Sequence, residues 1–419
     1  MRTIKFGVFG LGRGSSFYEN ILLNNGEVVA VCDMSEEKLA DAKAKLGNDV
    51  ATYTDFDSFI NHKGLEAVFL CNYFHEHAPY AIKALKKNIH VLSECTSNGT
   101  MAEGVELVRA AEESKAIYMI SENYPFMIFN LEMRRVYQSG SLGKLLFAEG
   151  EYNHPVNPEN IEECTSLIPY GKHWRMHLPR TYYITHSLAP LMYMTGATPV
   201  RVTAMPVFHP FTDEEWTCKC RVGDRAAIIT CLNDDDSVFR VTGCAAFGAH
   251  ENSYRLCGDK GQIENIRGEK KVLLRYNSWN IPEGGSSSSI YQPSWNDKDA
   301  KLIEKSGHGG GDFLVIREFF NCIRENKQPT FDVYFATTMA SVAILSHRSL
   351  LERGVPYDIP DFRKEEDKQK YENDRLTPFW SPDGSAPTIA DSSHPDKAPT
   401  EEDMAEYDRK VAEYRATKK

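Results

Sequence analysis

The opening of the chain constrains its fold more than any other stretch. Residues 4–10, IKFGVFG, form an apolar β-type run that breaks into Gly10-Leu11-Gly12-Arg13-Gly14-Ser15 and then a helix-forming stretch to about Asn24. Strand, glycine turn and helix in that order let backbone N–H groups and a helix N-terminus hold a pyrophosphate. Gly10, Gly12, Arg13, Gly14 and Ser15 are therefore candidate cofactor-binding residues; Ser15 stands where a third glycine is usual, with Gly14 one residue early. A second apolar run, EVVAVCD, ends in Asp33, about twenty residues beyond the turn, where an acidic side chain accepts from the ribose hydroxyls and repels a 2′-phosphate. No arginine follows in DMSEEKL, so NAD is expected over NADP. A glycine turn and a surface aspartate in a nucleotide-free sheet would explain either half of this pattern, but not readily both.

The alternation continues with a helix over 35–46, the strand GLEAVFLCN, the amphipathic helix EHAPYAIKALKKN, the strand IHVLSE, the helix MAEGVELVRAAEES and the strand AIYMISENY. This order predicts an α/β domain, a Rossmann-type doubly wound parallel sheet of about six strands. Ligands of such sheets bind beyond the carboxyl ends of the strands. Asn72, Glu94 and Asn123 stand at such ends, and with His77 they join the cofactor candidates. Cys95 in HVLSECTSNG is either a presented nucleophile or an ordinary thiol at a strand exit. No basic residue follows it closely to lower its pKa, which favours the second reading. His75 and His77 could ligate a metal, but two histidines without a third ligand are weak evidence, and no metal is expected.

After about residue 125 the texture changes to short strands separated by turn signals such as VGD and NDDD. These predict a second, α+β domain with an open, mostly antiparallel sheet. Within it NSYRLCGDKGQIENI reads as one strand, and TCKCRV as a strand carrying Cys218 and Cys220 on one face. Residues 278–306, with EGGSSSS, read as a long mobile loop. Asp312 reads as the N-cap of the next helix. From about Pro360 the chain is charged and Pro-rich, and ends in a helix opened by a capping box at Thr400. The expected division is 1–125, 126–358 and a C-terminal extension, 359–419. A net charge of −11 argues against nucleic-acid or anionic-membrane partners, and no apolar run is long enough to span a membrane. Ten scattered cysteines without CxxC spacing, and no secretory signal at the start, point to a reduced, cytoplasmic protein.

The GLGRGS turn, Asp33, HEHAPYAIKALKKNIHVLSE and the switch near residue 125 resemble the Gfo/Idh/MocA family of NAD(P)-dependent sugar and polyol oxidoreductases, over roughly residues 3–355. That family usually ends a strand with Glu-Lys-Pro, whose lysine helps the proton transfer. Counting from His77 and His90, those positions are Glu94, Cys95 and Thr96, so the lysine is absent. The Thr-Pro-Asn often found before the helix reads Asn72-Tyr73-Phe74. SENY, EYNH, HWR, YYITHSLAP and HGGGDF look like the family's NAD-dependent retaining glycosidases, of the α-N-acetylgalactosaminidase type, which also lack the lysine.

That resemblance implies transient oxidation at sugar C3, elimination across C1 and C2, water addition and re-reduction with the same NAD. By it Tyr183, His186 and Tyr152 are the catalytic candidates, His186 at the C3 hydroxyl and the tyrosines at the C2 proton. Glu122, Trp174 and Arg175 would orient sugar or nicotinamide groups, while His308 and Asp312 would close the pocket. Glu94 would face the nicotinamide ribose. A homo-oligomer, dimer or tetramer, is implied as well. Each residue has a plain alternative: half-buried packing for Tyr183, a helix cap for His186 or Asp312. Two other functions stay open, a net NAD-dependent sugar or inositol-like dehydrogenase and a non-catalytic NAD or sugar sensor.

Overall fold

The computed structural model describes residues 2–157, 160–209 and 223–418. TCKCRV, with Cys218 and Cys220, lies outside the described residues. Six parallel strands, β1 (Ile4–Phe9), β2 (Gly26–Cys32), β3 (Ala51–Tyr53), β4 (Ala67–Leu70), β5 (His90–Ser93) and β6 (Tyr118–Ile120), form a sheet in the order β3-β2-β1-β4-β5-β6. β1 lies between β2 and β4, so the order reverses at its carboxyl end, where such sheets bind ligands. Alternation along β1 serves both faces. Phe6 packs with Phe69, Phe319 and Phe320 on one side, while Phe9 packs with Phe56 and Tyr80 on the other. Helix Gly311–Glu325, which the sequence division gives to the second domain, thus seals the first sheet through Phe319 and Phe320.

The second sheet has nine strands: β7 (Leu145–Asn153), β8 (Pro199–Phe208), β9 (Asp224–Asn233), β10 (Val238–Ala245), β11 (Glu251–Gly258), β12 (Gly261–Asn265), β13 (Val272–Tyr276), β14 (Ser288–Tyr291) and β15 (Tyr357–Asp358). Their order is β14-β13-β12-β11-β7-β10-β9-β8-β15, antiparallel except for β7 with β10. The segment read as one strand is a hairpin, β11 and β12, turning at Asp259-Lys260. The predicted mobile loop holds an edge strand, β14, and a short helix, Ala300–Lys305. The serines hid that strand because an edge strand needs only its backbone to pair, and three of its four side chains are exposed.

Helix Thr185–Thr195 packs on β7 and presents its first turn to the boundary between the sheets. Asp312 is not a cap. Gly310 holds the capping position and Asp312 lies inside the helix, its carboxylate turned to side chains instead. The C-terminal extension folds against its own chain and ends in helix Glu401–Thr417, with the Thr400 capping box formed. Among the described residues no helix is long and apolar enough to cross a membrane.

Candidate active site

The glycine turn after β1 opens on a cleft of about 710 Å³ lined by Gly10, Gly12, Arg13, Asp33, Asn72, His77 and Glu94 from the first domain. Segment 166–175 and Tyr183 line it from the second. The three glycines do different work. Gly10 has φ +88, and a Cβ there would stand 2.4 Å from the Cys71 carbonyl, so the turn requires glycine. A Cβ on Gly14 would meet Val8 at 2.5 Å, so Gly14, not the Ser15 position, lets the helix approach the strand. A Cβ on Gly12 would meet only Lys38 Nζ, at 3.7 Å, leaving the space that a pyrophosphate needs. Asp33 is fixed at the end of β2 by backbone N–H groups of Leu11 (2.8 Å) and Ser35 (2.9 Å), with Lys38 Nζ at 3.6 Å. Asn72 Oδ1 and His77 Nε2 are buried without partners among the described residues, while His77 Nδ1 donates to the Thr96 carbonyl at 2.8 Å. Open cradle, fixed acid and orphaned polar atoms together fit a dinucleotide held by Gly12, Asp33, Asn72 and His77.

Where a lysine would stand in this fold is Cys95, a buried thiol whose pKa burial pushes well above its ordinary value. Burial thus favours its protonated form over the thiolate that a nucleophile needs. Behind it the structure brings together residues from two domains. Glu122, at the exit of β6, is wholly buried, and its Oε1 lies 2.6 Å from His186 Nδ1. His186 Nε2 lies 3.2 Å from the hydroxyl of Tyr183, a residue that lines the cleft. The carboxylate fixes the imidazole with Nδ1 protonated and Nε2 free to accept, so the Tyr183 O–H donates to it. Tyr124 stacks on the His186 ring at 3.9 Å and 14°, and the Tyr254 hydroxyl donates to the His186 carbonyl at 2.5 Å. Burial pushes the Tyr183 phenol well above its ordinary pKa, so it carries a proton unless another group takes it.

Tyr152 is 4 % exposed and lies behind the relay, edge-on to Tyr124 and His186, away from the cleft lining. Trp174 stacks on Phe74 at 5.1 Å, and the Arg175 guanidinium lies 4.4 Å from the Trp174 ring centre. Arg175 has no carboxylate partner among the described residues, and it borders both the cleft and a second cavity of about 140 Å³ beyond Tyr183.

His308 and Asp312 join a charged network at the domain boundary. Asp312 accepts from Asn123 (2.7 Å), His308 (3.0 Å) and Arg13 (3.3 Å), and Arg13 Nε donates to Glu94 at 3.0 Å. Those partners hold the Asp312 carboxyl below its usual range despite burial. Arg13 and Glu94 are thus tied to each other through Oε1, while Glu94 Oε2 accepts from the Cys95 N–H at 3.4 Å. Asn123 and Ser15 do not border the cleft.

Sequence reasoning missed Tyr124, Phe74 and His173. Tyr124 and His173 are the last residue of SENY and the first of HWR, but the resemblance gives neither a role. Phe74 stood in plain view as a departure from Thr-Pro-Asn, and its ring fills the wall beside Trp174.

Residues 4–122 match the oxidoreductase family with an NAD-binding Rossmann fold, and residues 211–369 match the glycosyl hydrolase 109 C-terminal domain. A glycosyl hydrolase family 109 protein of Streptomyces filamentosus is 26 % identical over 393 residues, covering 88 % of this chain and 79 % of that one. A family 109 protein 1 of Bacteroides fragilis (strain YCH46) is 23 % identical over 405 residues, covering 86 % of each. Among solved structures, levoglucosan dehydrogenase in complex with NADH and L-sorbose shares the fold, with a TM-score of 0.73 at 14 % identity over 86 % of this chain and all of that one. Aldose-aldose oxidoreductase from Caulobacter crescentus gives 0.67 at 16 %, over 85 % and 100 %. The chain thus pairs an NAD-binding Rossmann domain of the Gfo/Idh/MocA oxidoreductase type with a glycosyl hydrolase 109 C-terminal domain.

Proposed function

We propose that this NAD-dependent, sugar-active enzyme cleaves a glycosidic bond through transient oxidation at sugar C3 and elimination across C1 and C2, reusing its NAD in every turnover. One observation carries the reading: a neutral Cys95 stands at the lysine position, and the Glu122–His186–Tyr183 relay opens on the cleft instead. The shared family 109 name of the relatives supports it.

When bound, NAD supplies reversible hydride transfer at a sugar carbon. The hydroxyl proton lost as C3 is oxidised passes to solvent and returns on re-reduction, an aryl aglycone leaves C1 as its phenolate, and the chain supplies the proton chemistry at C2. Tyr183 is the relay member that borders the cleft, so its oxygen takes the proton that leaves substrate C2. A buried phenol cannot wait as a phenolate, so Tyr183 passes its own proton to His186 Nε2 in the same event. The imidazolium that forms is stabilised by the Glu122 carboxylate on its other nitrogen. The reverse transfer restores the C2 proton after water has added at C1. His186 lies behind Tyr183, so it acts through the phenol rather than on the sugar directly. Tyr152 and Tyr124 hold the imidazole plane, and Arg175, without a carboxylate of its own, faces the sugar hydroxyls. The free buried thiols of Cys32, Cys71, Cys95, Cys231 and Cys322 suit a cytoplasmic setting, and self-association as a homo-oligomer completes the reading.

The test is cleavage of a panel of aryl glycosides in deuterated water. The reading expects p-nitrophenol release without net NADH and deuterium at C2 of the released sugar. Product with no C2 deuterium refutes the elimination. Stoichiometric NADH from free sugar would instead make the enzyme a net dehydrogenase.

A further inference from the structure

Residues 160–177 cross the mouth of the cofactor cleft. On the inner side Leu167, Pro169, His173 and Trp174 line the same cleft as Gly12 and Asp33. The Tyr170 hydroxyl donates to the Tyr73 hydroxyl at 3.2 Å, so the segment is moored to the loop after β4. On the outer side lies the C-terminal helix. The Tyr407 hydroxyl donates to the Ile168 carbonyl at 2.7 Å, and Asp408 Oδ1 accepts from the Gly171 N–H at 2.7 Å. Tyr407 and Val411 form an apolar cluster with Ile168 and Met176, separate from the main core. A Cβ on Gly171 would stand 2.7 Å from Met404 Cβ, so segment and helix meet without slack. Just before the helix, Asp391 pairs with His177 Nδ1 at 3.0 Å. Both family matches end before this helix, the later one at residue 369.

We propose that the C-terminal helix is a gate on the cofactor, in which Tyr407 and Asp408 act as positioning residues that hold segment 160–177 down over bound NAD. Neither residue borders the cleft, so neither supplies a cofactor contact. Their effect passes through Ile168 and Gly171 to the residues that do. The segment has two anchors, the Rossmann loop within and the helix without, and cofactor exchange needs the outer one to give way. The inference rests on the NAD cleft alone and not on glycosidic cleavage, so its test needs no sugar.

The test follows NADH binding and release by stopped-flow fluorescence in the full-length protein and in Tyr407→Ala, Asp408→Ala and Gly171→Ala. A gate predicts that release accelerates at least about tenfold in Tyr407→Ala and about fivefold in Asp408→Ala, with the association rate rising too. Gly171→Ala, which forces Met404 away from the other side, moves both rates in the same direction, and Tyr407→Phe, keeping the ring, recovers part of the slow release. Asp408 is exposed, so its variant keeps the fold and reports even where Tyr407→Ala does not. Release within about twofold of the parent in Asp408→Ala and Gly171→Ala overturns the gate. So does faster release with an unchanged association rate, because the helix would then only stabilise the bound state.

Discussion

Glu122→Gln separates a proton relay from a packed hydrogen-bond chain. Glu122 is 0 % exposed, and its Oε1 meets His186 Nδ1 at 2.6 Å. In the proposed relay that bond joins a carboxylate to a neutral imidazole before the proton moves. Once the Tyr183 proton reaches Nε2, the same bond joins a carboxylate to an imidazolium. The charge pair thus exists only while the substrate proton is in transit, so its loss falls on kcat rather than on substrate binding. A hydrogen bond to a charged group is worth about 1.5–3 kcal/mol. At about 1.4 kcal/mol per decade, kcat should fall about 10- to 150-fold. Glutamine has the same shape and its amide oxygen can still accept from Nδ1. Tyr124 stacking and the Tyr254 hydroxyl hold the ring independently of the carboxylate. The variant should therefore fold and retain NAD as the parent does. The assay is steady-state hydrolysis of the best glycoside of the panel, with C2 deuterium exchange measured on the same samples. A kcat within about threefold of the parent, or a change confined to KM, refutes the relay.

The glycines give a contrasting pair. Gly10→Ala forces a side chain into φ +88 and against the Cys71 carbonyl, and should lower stability by at least about 1–2 kcal/mol in urea denaturation. Gly12→Ala meets only the Lys38 tip, so its urea midpoint should match the parent while NAD binding by calorimetry weakens about tenfold or more. Stability should also depend on pH through His347. Burial pushes this imidazole down to about 4, while its Nε2 donates to the Ala390 carbonyl at 2.7 Å. The unfolded imidazole takes up a proton near pH 6.5 and the folded one resists until about 4, so its stabilising contribution is complete above 6.5 and is lost as pH falls through that window. The loss amounts to about 3 kcal/mol by pH 4, and His347→Gln should lose correspondingly less between pH 6.5 and 4 than the parent. Equal losses in the two proteins would refute it.

What could be read from the sequence is what one parallel β–turn–α unit encodes locally. Gly10, Gly12, Gly14 and Asp33 are close in the chain, and each answers a local demand: a left-handed turn at Gly10, open space at Gly12, close packing at Gly14 and an acceptor for backbone N–H groups at Asp33. Even the odd placement of Gly14 was visible as a departure, although only its contact with Val8 shows that the packing role had moved one residue. The relay is a different kind of object. Glu122 and His186 lie on different domains, and no periodicity carries the fact that a strand exit and a helix start will meet at 2.6 Å. Resemblance supplied the residue types but not their order. It gives His186 a place at the sugar; in the structure Tyr183 lines the cleft and His186 lies 3.2 Å from its hydroxyl, outside that lining.

The C-terminal extension shows the same limit more sharply. Its capping box and the apolar stripe of Met404, Tyr407 and Val411 announce an amphipathic helix with a partner, but an apolar stripe does not name the surface that covers it. The partner is settled by groups that no stripe contains: the Ile168 carbonyl, the Gly171 N–H and the missing side chain of Gly171. Gly171 sits in YGKHWR, where it reads as a loop glycine of no consequence. Its value depends on a methionine more than two hundred residues later. Even Arg13 and Asp312, each a candidate on its own, carry no sign in the sequence that they meet. Where one end is a bare backbone N–H, folding decides and the residue string is silent.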